Sequence, residues 1–245
     1  MSWRCLVLLC LLLAPACADT AVTPADLRAV GLRARARWLP IDRWTAEYQN
    51  YFQRHVHDGS LVLDPTAIVM HYTAGPSLDQ AWNLFDRGAW YDDGDVGRVY
   101  GHLSSHFIID RDGTVYCCVP TDRRCRGAYG VNHVAMSIEM VGRDERAVLD
   151  DAALVQASFT LVDYLCRRYH IPPSRVWGHY QVAEGRRVVP DYLDYGDHQT
   201  PDGYPRSAWR TDPGKDYMQM LWRHLQAKGE PSRNNRSERR RGRKS

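Results

Sequence analysis

The sequence predicts an α/β fold in which helices flank a mixed central β-sheet. Short apolar runs, typical of buried strands, alternate along the chain with stretches of helical periodicity. Two strand-like segments are joined by the turn Arg111–Gly113, a pattern typical of a hairpin. The 245 residues are 44% hydrophobic and 25% charged, so the chain can bury a sizeable core.

The first 18 residues are typical of an export signal. Arg4 gives a short positive start, an apolar run follows to Ala14, and small residues flank Cys17 as in a cleavage site. The run is too short to span a bilayer as a permanent helix. We therefore expect an exported protein, in the periplasm, in the cell envelope or secreted. Lipidation at Cys17, as in an outer-membrane lipoprotein, is the alternative to cleavage alone.

Residues 19–60 predict an N-terminal helical extension that packs on the main domain. Pro24 can open one helix that runs to about Arg37, because proline is favoured in the first helical turn. A second helix is predicted from Thr45 to His55.

The main domain is predicted over residues 61–227. Its first strand, Ala67–His71, stops at the turn Thr73–Pro76, and Ser77 can cap a helix that continues to Phe85. Residues 92–97 are predicted as a polar loop. The other predicted strands are 105–110, 114–119, 135–141 and 175–178, and the other predicted helices are 151–169 and 213–226.

The C-terminal tail, residues 228–245, is predicted to be disordered. It holds eight Lys or Arg residues and two Glu, while the whole chain is only +3, so the rest of the mature chain is acidic. Such a tail can contact anionic envelope surfaces, or it can be a merely solubilising end. The acidic remainder argues against specific nucleic-acid binding.

Four cysteines remain outside the predicted signal: Cys117, Cys118, Cys125 and Cys166. In an exported protein they can form disulfides. Neighbouring residues of one strand point to opposite faces, so at most one of the adjacent pair easily reaches Cys125. The pairing stays open. The sequence has no CxxC pair, which argues against a cysteine zinc site.

Four polar residues lie where α/β proteins build sites. His71 and His179 end predicted strands, Asp212 precedes the last helix, and Glu139 lies inside an apolar strand. Two imidazoles and a carboxylate can hold zinc and leave one position open for water. A separate glutamate can then act as general base.

Each of these residues also has a structural interpretation. A histidine at a strand end is often an ordinary polar residue with satisfied hydrogen bonds, and Asp212 is a good helix N-cap. Glu139 is harder to explain structurally, since a buried carboxylate is costly unless it is paired, protonated or functional.

Five short motifs, in one order and with matching flanks, resemble the type 2 N-acetylmuramoyl-L-alanine amidases. This family includes bacterial envelope amidases, phage lysozyme-amidases and animal peptidoglycan-recognition proteins. The motifs are His71–Gly75, Ser105–Tyr116, Asn132–His133 followed by Ser137–Glu139, Gly178–His179 after a Pro-Pro-Ser-Arg turn, and Thr211–Gly214.

The resemblance implies the amidase-like fold and a division of roles. His71, His179 and Asp212 would hold Zn²⁺, and Glu139 would activate water. Arg210 stands where the family usually has a lysine that stabilises the oxyanion. Arginine can stabilise charge there but cannot donate a proton, and a surface arginine is the plain alternative.

Asn132 would contact the peptide stem of the substrate or orient the strand that carries Glu139; it can equally be a turn residue. The segment between His179 and Asp212 is longer than the family's usual link. We expect the insert, at about 188–209, to wall the substrate groove, with a structural flap as the alternative.

The function implied is hydrolysis of the amide bond between N-acetylmuramic acid and L-alanine in peptidoglycan or muropeptides. Two alternatives stay open at this point. The first is a peptidoglycan-binding module without catalysis. The second is a zinc amidase or peptidase that acts on another amide bond.

Overall fold

The structure is a computed structural model that describes residues 21–92, 98–193 and 210–229. The predicted export signal, Cys17, most of the predicted insert and residues 230–245 of the predicted tail lie outside these ranges. No helix within the described ranges is long and apolar enough to cross a membrane.

The described residues contain a six-stranded sheet in the order β1-β6-β5-β7-β2-β8, and a separate hairpin, β3-β4. Strands β5 and β6 pair antiparallel, whereas the other described pairs of the large sheet are parallel, which confirms the predicted mixed sheet. The strands are β1 (Ala34–Ala36), β2 (Ala67–Tyr72), β3 (Ala89–Asp92), β4 (Arg98–Gly101), β5 (Phe107–Ile109), β6 (Val115–Cys117), β7 (Ala135–Met140) and β8 (Val176–Gly178).

Helices cover both faces of the sheet. Ser77 caps α3 as predicted, because its side chain accepts a hydrogen bond from the Gln80 N–H at 3.3 Å. The helices within the described residues are α1 (Pro24–Ala29), α2 (Thr45–Val56), α3 (Leu78–Arg87), α4 (Glu145–Leu149), α5 (Ala152–Arg168), α6 (His179–Val182) and α7 (Lys215–Gly229).

Period-two alternation decides which strand residues face which helices. Ile68 and Met70 of β2 pack in one apolar cluster with residues of α5 and α7. Ile108, on the opposite face of the sheet, packs with residues of α2 and α3. Ile108 is the register partner of Glu139, and Glu139 is the partner of His71. Glu139 and His71 therefore lie on the face covered by α2 and α3.

The predicted helix from Pro24 to Arg37 is wrong beyond Ala29. Gly31 has φ +86°, a left-handed conformation that ends the helix. The chain then forms β1, which pairs in parallel with β6 as an edge strand of the main sheet. The extension is thus part of the sheet, while its second helix, α2, agrees with the prediction.

The last helix begins and ends later than the sequence predicts. It starts at Lys215, so Asp212 lies too far upstream to be its N-cap. It continues to Gly229, which makes residues 228 and 229 helical rather than part of the tail. The Lys228 Nζ lies 3.4 Å from Asp163 Oδ2 on α5, a contact that ties this end to the domain.

The four cysteines, all within the described residues, are free thiols, so the disulfides that an exported protein could form are not present. Cys117 and Cys118 do point to opposite sides, since they belong to different apolar clusters. Burial raises the pKa of the Cys117, Cys125 and Cys166 thiols to about 12, which disfavours the reactive thiolate.

Candidate functional site

Strand register brings two histidines and a glutamate to one end of the sheet. His71 of β2 is the direct partner of Glu139 of β7. On the other side of β2, Met70 pairs with Gly178, so the next residue, His179, follows beside His71. Parallel strands end at the same edge of a sheet, which is why residues far apart in sequence meet here.

Asp212 completes a compact triangle of ligand atoms. The two Nδ1 atoms of His71 and His179 are 2.9 Å apart, and each lies 3.1 Å from Asp212 Oδ2. All three side chains are buried. Ligand atoms about 2.0 to 2.1 Å from a tetrahedral zinc ion lie roughly 3.3 Å from each other. The donor types and their spacing therefore fit a small ion with a fourth position open.

The loop that carries Asp212 is fixed to neighbouring elements by two hydrogen bonds. The backbone carbonyl of Asp212 accepts from the Tyr180 N–H of α6 at 3.0 Å. One residue earlier, Thr211 Oγ1 is 2.7 Å from the hydroxyl of Tyr72, which ends β2. These bonds hold the third residue against the strand and the helix that supply the other two.

The protonation states of His179 and Asp212 suit metal binding. Burial lowers the pKa of His179 to about 4, so its ring is neutral at pH 7. Burial alone would raise the pKa of Asp212, but the adjacent His179 and His71 hold it well below its usual value. A neutral imidazole and an ionised carboxylate are the forms that ligate a metal.

Glu139 lies beside the triangle with one oxygen unengaged. Its Oε2 is buried and has no hydrogen-bond partner among the described residues. Burial raises the pKa of Glu139 to about 7, an effect opposed by the charges of His71 and Arg210 and reinforced by Asp212. A carboxylate that titrates near neutral pH can both take and return a proton.

These residues open into a cleft of about 380 Å³. Arg210 is exposed and lines the cleft together with the triangle and Glu139. Helix α3 contributes an apolar side, and the loop Arg126–Asn132, which carries the polar Arg126, Tyr129 and Asn132, contributes another wall. The lining residues are His71, Tyr72, Thr73, Ala74, Ala81, Leu84, Phe85, Leu103, Arg126, Gly127, Ala128, Tyr129, Asn132, Glu139, His179, Arg210, Thr211 and Asp212.

Asn132 lies in this wall with most of its hydrogen bonds directed inward. Its Oδ1 accepts from the backbone N–H groups of Gly127 at 3.0 Å and Ala128 at 2.8 Å. Its Nδ2 donates to the Tyr51 hydroxyl at 3.2 Å. The bonds describe a residue that organises a turn; direct contact with a substrate stays a prediction, for which one amide hydrogen is left.

The sequence did not indicate two parts of the cleft. Arg126 is one of three arginines within residues 123–127, so nothing in the pattern distinguished it from surface residues. In the structure it is only 3% exposed and pairs with Glu47 of α2 at 2.8 Å. The apolar residues of α3 were predicted only as part of a helix, and their place in the cleft depends on the packing of that helix.

Comparison with known proteins adds a family assignment. Residues 62–192, more than half of the chain, match the profile of a family described as N-acetylmuramoyl-L-alanine amidase. His71, Asn132, Glu139 and His179 lie inside this range, whereas Arg210 and Asp212 follow it. No curated protein sequence matched the chain.

Several solved amidase structures are similar at low identity. The amidase LysC from Clostridium intestinale is 20% identical, with 67% of this chain and 87% of LysC covered and a TM-score of 0.43. An AmpD derivative is 20% identical, with 79% of this chain and 94% of AmpD covered and a TM-score of 0.45. AmiD from E. coli, solved with an anhydro-muropeptide substrate, is 21% identical, with 48% of this chain and 49% of AmiD covered and a TM-score of 0.37.

Proposed function

The chain belongs to the N-acetylmuramoyl-L-alanine amidase family, and from this premise we propose a zinc-dependent peptidoglycan amidase. The bond cleaved is the amide that joins the lactyl group of N-acetylmuramic acid to L-alanine, in peptidoglycan or its fragments. One observation supports zinc above the others: the ligand atoms of His71, His179 and Asp212 converge within 3.1 Å of one another.

His71, His179 and Asp212 would hold the zinc ion through two imidazole nitrogens and one carboxylate oxygen. When bound, zinc supplies Lewis acidity, which polarises a carbonyl and lowers the pKa of water to about 7. All three side chains are buried, and the packing around them restricts their rotamers.

Glu139 moves the proton in the proposed reaction. Its unengaged Oε2 takes a proton from the attacking water, whose oxygen forms a bond to the lactyl carbonyl carbon. The carbon–nitrogen bond then breaks, and Glu139 returns the proton to the leaving nitrogen of L-alanine. One water is consumed, and the products are a carboxylic acid and a free amine.

Arg210 and Asn132 have supporting roles in this proposal. The Arg210 guanidinium, at the cleft surface, stabilises negative charge that develops on the carbonyl oxygen. Arginine stays protonated throughout, so the proton path runs through Glu139 alone. Asn132 shapes the wall that receives the peptide stem, and its remaining amide hydrogen is directed to that stem.

The variant Glu139→Gln tests the proposal. The amide keeps the shape of the side chain but cannot accept the proton, so product release should fall by at least about 100-fold. Bound zinc, measured by elemental analysis, should stay at the wild-type level. Glu184→Gln, at a half-exposed acid after α6, is the matched control and should keep full activity.

The products distinguish the alternatives. Free stem peptide that begins with L-alanine supports the amidase, whereas peptides cut elsewhere would favour a zinc peptidase. Retention on peptidoglycan without any release, in wild type and Glu139→Gln alike, would favour a binding module. Wild-type activity in Glu139→Gln would contradict the role of Glu139.

We also propose that the protein acts outside the cytoplasm. The support is the sequence of residues 1–18, with cleavage near Ala18 or lipidation at Cys17 as the two routes. The basic tail would then hold the enzyme at anionic envelope surfaces close to its substrate. The mass of the mature N-terminal peptide distinguishes a free from a lipidated end.

A further inference from the structure

Helix α2 supports a loop that lines the cleft, although the helix precedes the family-matched range 62–192. Glu47 and Tyr51 are four residues apart, so they lie on one face of this helix. Both contact the loop Arg126–Asn132, which forms the polar wall of the cleft. The helix therefore contacts the loop of the cleft that lies, in sequence, far from His71, His179 and Asp212.

Glu47 joins two segments through one carboxylate. Its Oε1 accepts from the Arg126 guanidinium and from the backbone N–H of His102, each at 2.8 Å. Its Oε2 lies 2.7 Å from His102 Nδ1. Arg126 is also placed over the ring of Tyr51, with its central carbon 4.0 Å from the ring centroid. Charge and stacking thus define one position for the first residue of the wall.

Tyr51 acts at the other end of the same loop. Its hydroxyl accepts from Asn132 Nδ2 at 3.2 Å, while Asn132 Oδ1 holds the N–H groups of Gly127 and Ala128. The helix is therefore connected through one side chain to the backbone of the wall. Removing the tyrosine hydroxyl would leave a buried amide hydrogen without its acceptor.

The wall is packed directly on the strand that carries Glu139. A Cβ atom at Gly127 would lie 2.1 Å from Ser137 Oγ, so only glycine permits this close approach. Ser137 is two residues from Glu139 on β7. A shift of the loop would change the shape of the cleft beside the general base.

We propose that Glu47 and Tyr51 are positioning residues, through which α2 fixes the loop Arg126–Asn132 in the form that binds substrate. This inference rests on the proposed amidase function. The loop supplies neither the metal-binding residues nor the general base, so loosening it should weaken binding of substrate and transition state alike. The expected effect is therefore on KM rather than on kcat.

Tyr51→Phe tests the proposal with the smallest possible change. The loss of about one hydrogen bond should raise KM for a muropeptide about fivefold, with kcat changed less than twofold and zinc content unchanged. Tyr169→Phe is the matched control, because it removes a hydroxyl bonded to Thr121 at 2.6 Å and away from the cleft. This control should keep the wild-type KM.

Two further measurements keep the test decisive. Glu47→Gln, which removes the charge that pairs with Arg126, should also raise KM more than it lowers kcat. Hydrogen exchange of the Gly127 and Ala128 amides, whose acceptor is Asn132, should accelerate in Tyr51→Phe and not in Tyr169→Phe. A wild-type KM and wild-type exchange in both Tyr51→Phe and Glu47→Gln would overturn the proposal. If the wild type releases no stem peptide, the amidase function fails, while exchange still reports whether α2 holds the wall.

Discussion

At the scale of single residues, the protein keeps several histidines neutral by burying them. His179 does so at the candidate metal site, where a neutral ring is needed. His106 does so in the core, where its ring links three segments. Its Nε2 lies 2.9 Å from the Arg123 carbonyl and so carries the proton, and its Nδ1 accepts from the Ser137 N–H at 3.0 Å.

The buried His106 predicts a loss of stability in acid. Burial lowers its pKa to about 4, against about 6.5 in an unfolded chain. Between these values the unfolded chain binds a proton at His106 that the folded chain does not. The contribution of His106 to the free energy of unfolding is therefore nearly constant above pH 6.5 and falls as the pH is lowered below it. From pH 7 to pH 5 this one residue should cost about 2 kcal/mol.

Urea unfolding of the metal-free protein at the two pH values measures this contribution. His106→Gln, which cannot titrate, should lose about 2 kcal/mol less than the wild type over the same interval. Equal losses in the two proteins would show that His106 is not kept neutral by the fold.

At the scale of elements, the site depends on how the loop before α7 meets the end of β2. Asp212 is 33 residues from His179, yet the contact of Thr211 with Tyr72 and that of Asp212 with Tyr180 return it to the sheet. The loop is thereby part of the ligand set, although it lies outside the range that matches the family.

The Tyr72–Thr211 hydrogen bond therefore predicts an effect on metal affinity. Tyr72→Phe and Thr211→Val each remove this bond without touching a ligand, and each should weaken zinc binding roughly fivefold in competition with a chelator. The double variant should be no weaker than either single one, because both remove the same interaction. Additive losses would mean that the two side chains act independently.

The central elements could be predicted from the sequence because their patterns are strong. Strand β2 is a continuous apolar run before a turn, and α5 has one long apolar face. Strand β1 was missed because its three residues, Ala34–Ala36, carry no strand pattern, and pairing with β6 decides their state. The hairpin of β3 and β4 was missed for a similar reason, since the polar residues between them suggested only a loop.

The residues of the site could be predicted from the sequence, but their spatial arrangement could not. His71 and Glu139 lie within strands and His179 directly follows one, so their meeting follows once the strands are parallel and in register. Nothing in the spacing placed Asp212 beside them, since its position depends on the tertiary contacts of Thr211. The contribution of Glu47 and Tyr51 could not be predicted from the sequence either, because it depends on the packing of α2 on the loop Arg126–Asn132.

At the scale of the whole molecule, the N-terminal segment and the family-matched region share one core. Strand β1 extends the main sheet, and Leu27, Leu32 and Ala34 are buried in the same cluster as strand residues of the centre. The backbone N–H of Val22 donates to Thr121 Oγ1 at 2.8 Å, almost a hundred residues away. The extension is thus integral to the domain. The basic tail, in contrast, should be removable without loss of the domain's structure.

The tail predicts a separation of binding from catalysis. Deleting residues 230–245 should leave kcat and KM for soluble muropeptides unchanged, because α7 ends at Gly229 and stays intact. Co-sedimentation with anionic vesicles at low salt should fall, since seven of the eight positive charges after Ala227 are lost. Equal sedimentation of the full-length and truncated proteins would show that the tail does not bind anionic surfaces.

The measurement that tests the central claim most directly is mass spectrometry of muropeptides after incubation with the wild-type protein, with and without a zinc chelator. The account predicts free stem peptide that begins with L-alanine, lost on chelation and restored when zinc is added back. Undiminished release in the fully chelated protein, verified as zinc-free by elemental analysis, would contradict a zinc amidase built on His71, His179 and Asp212.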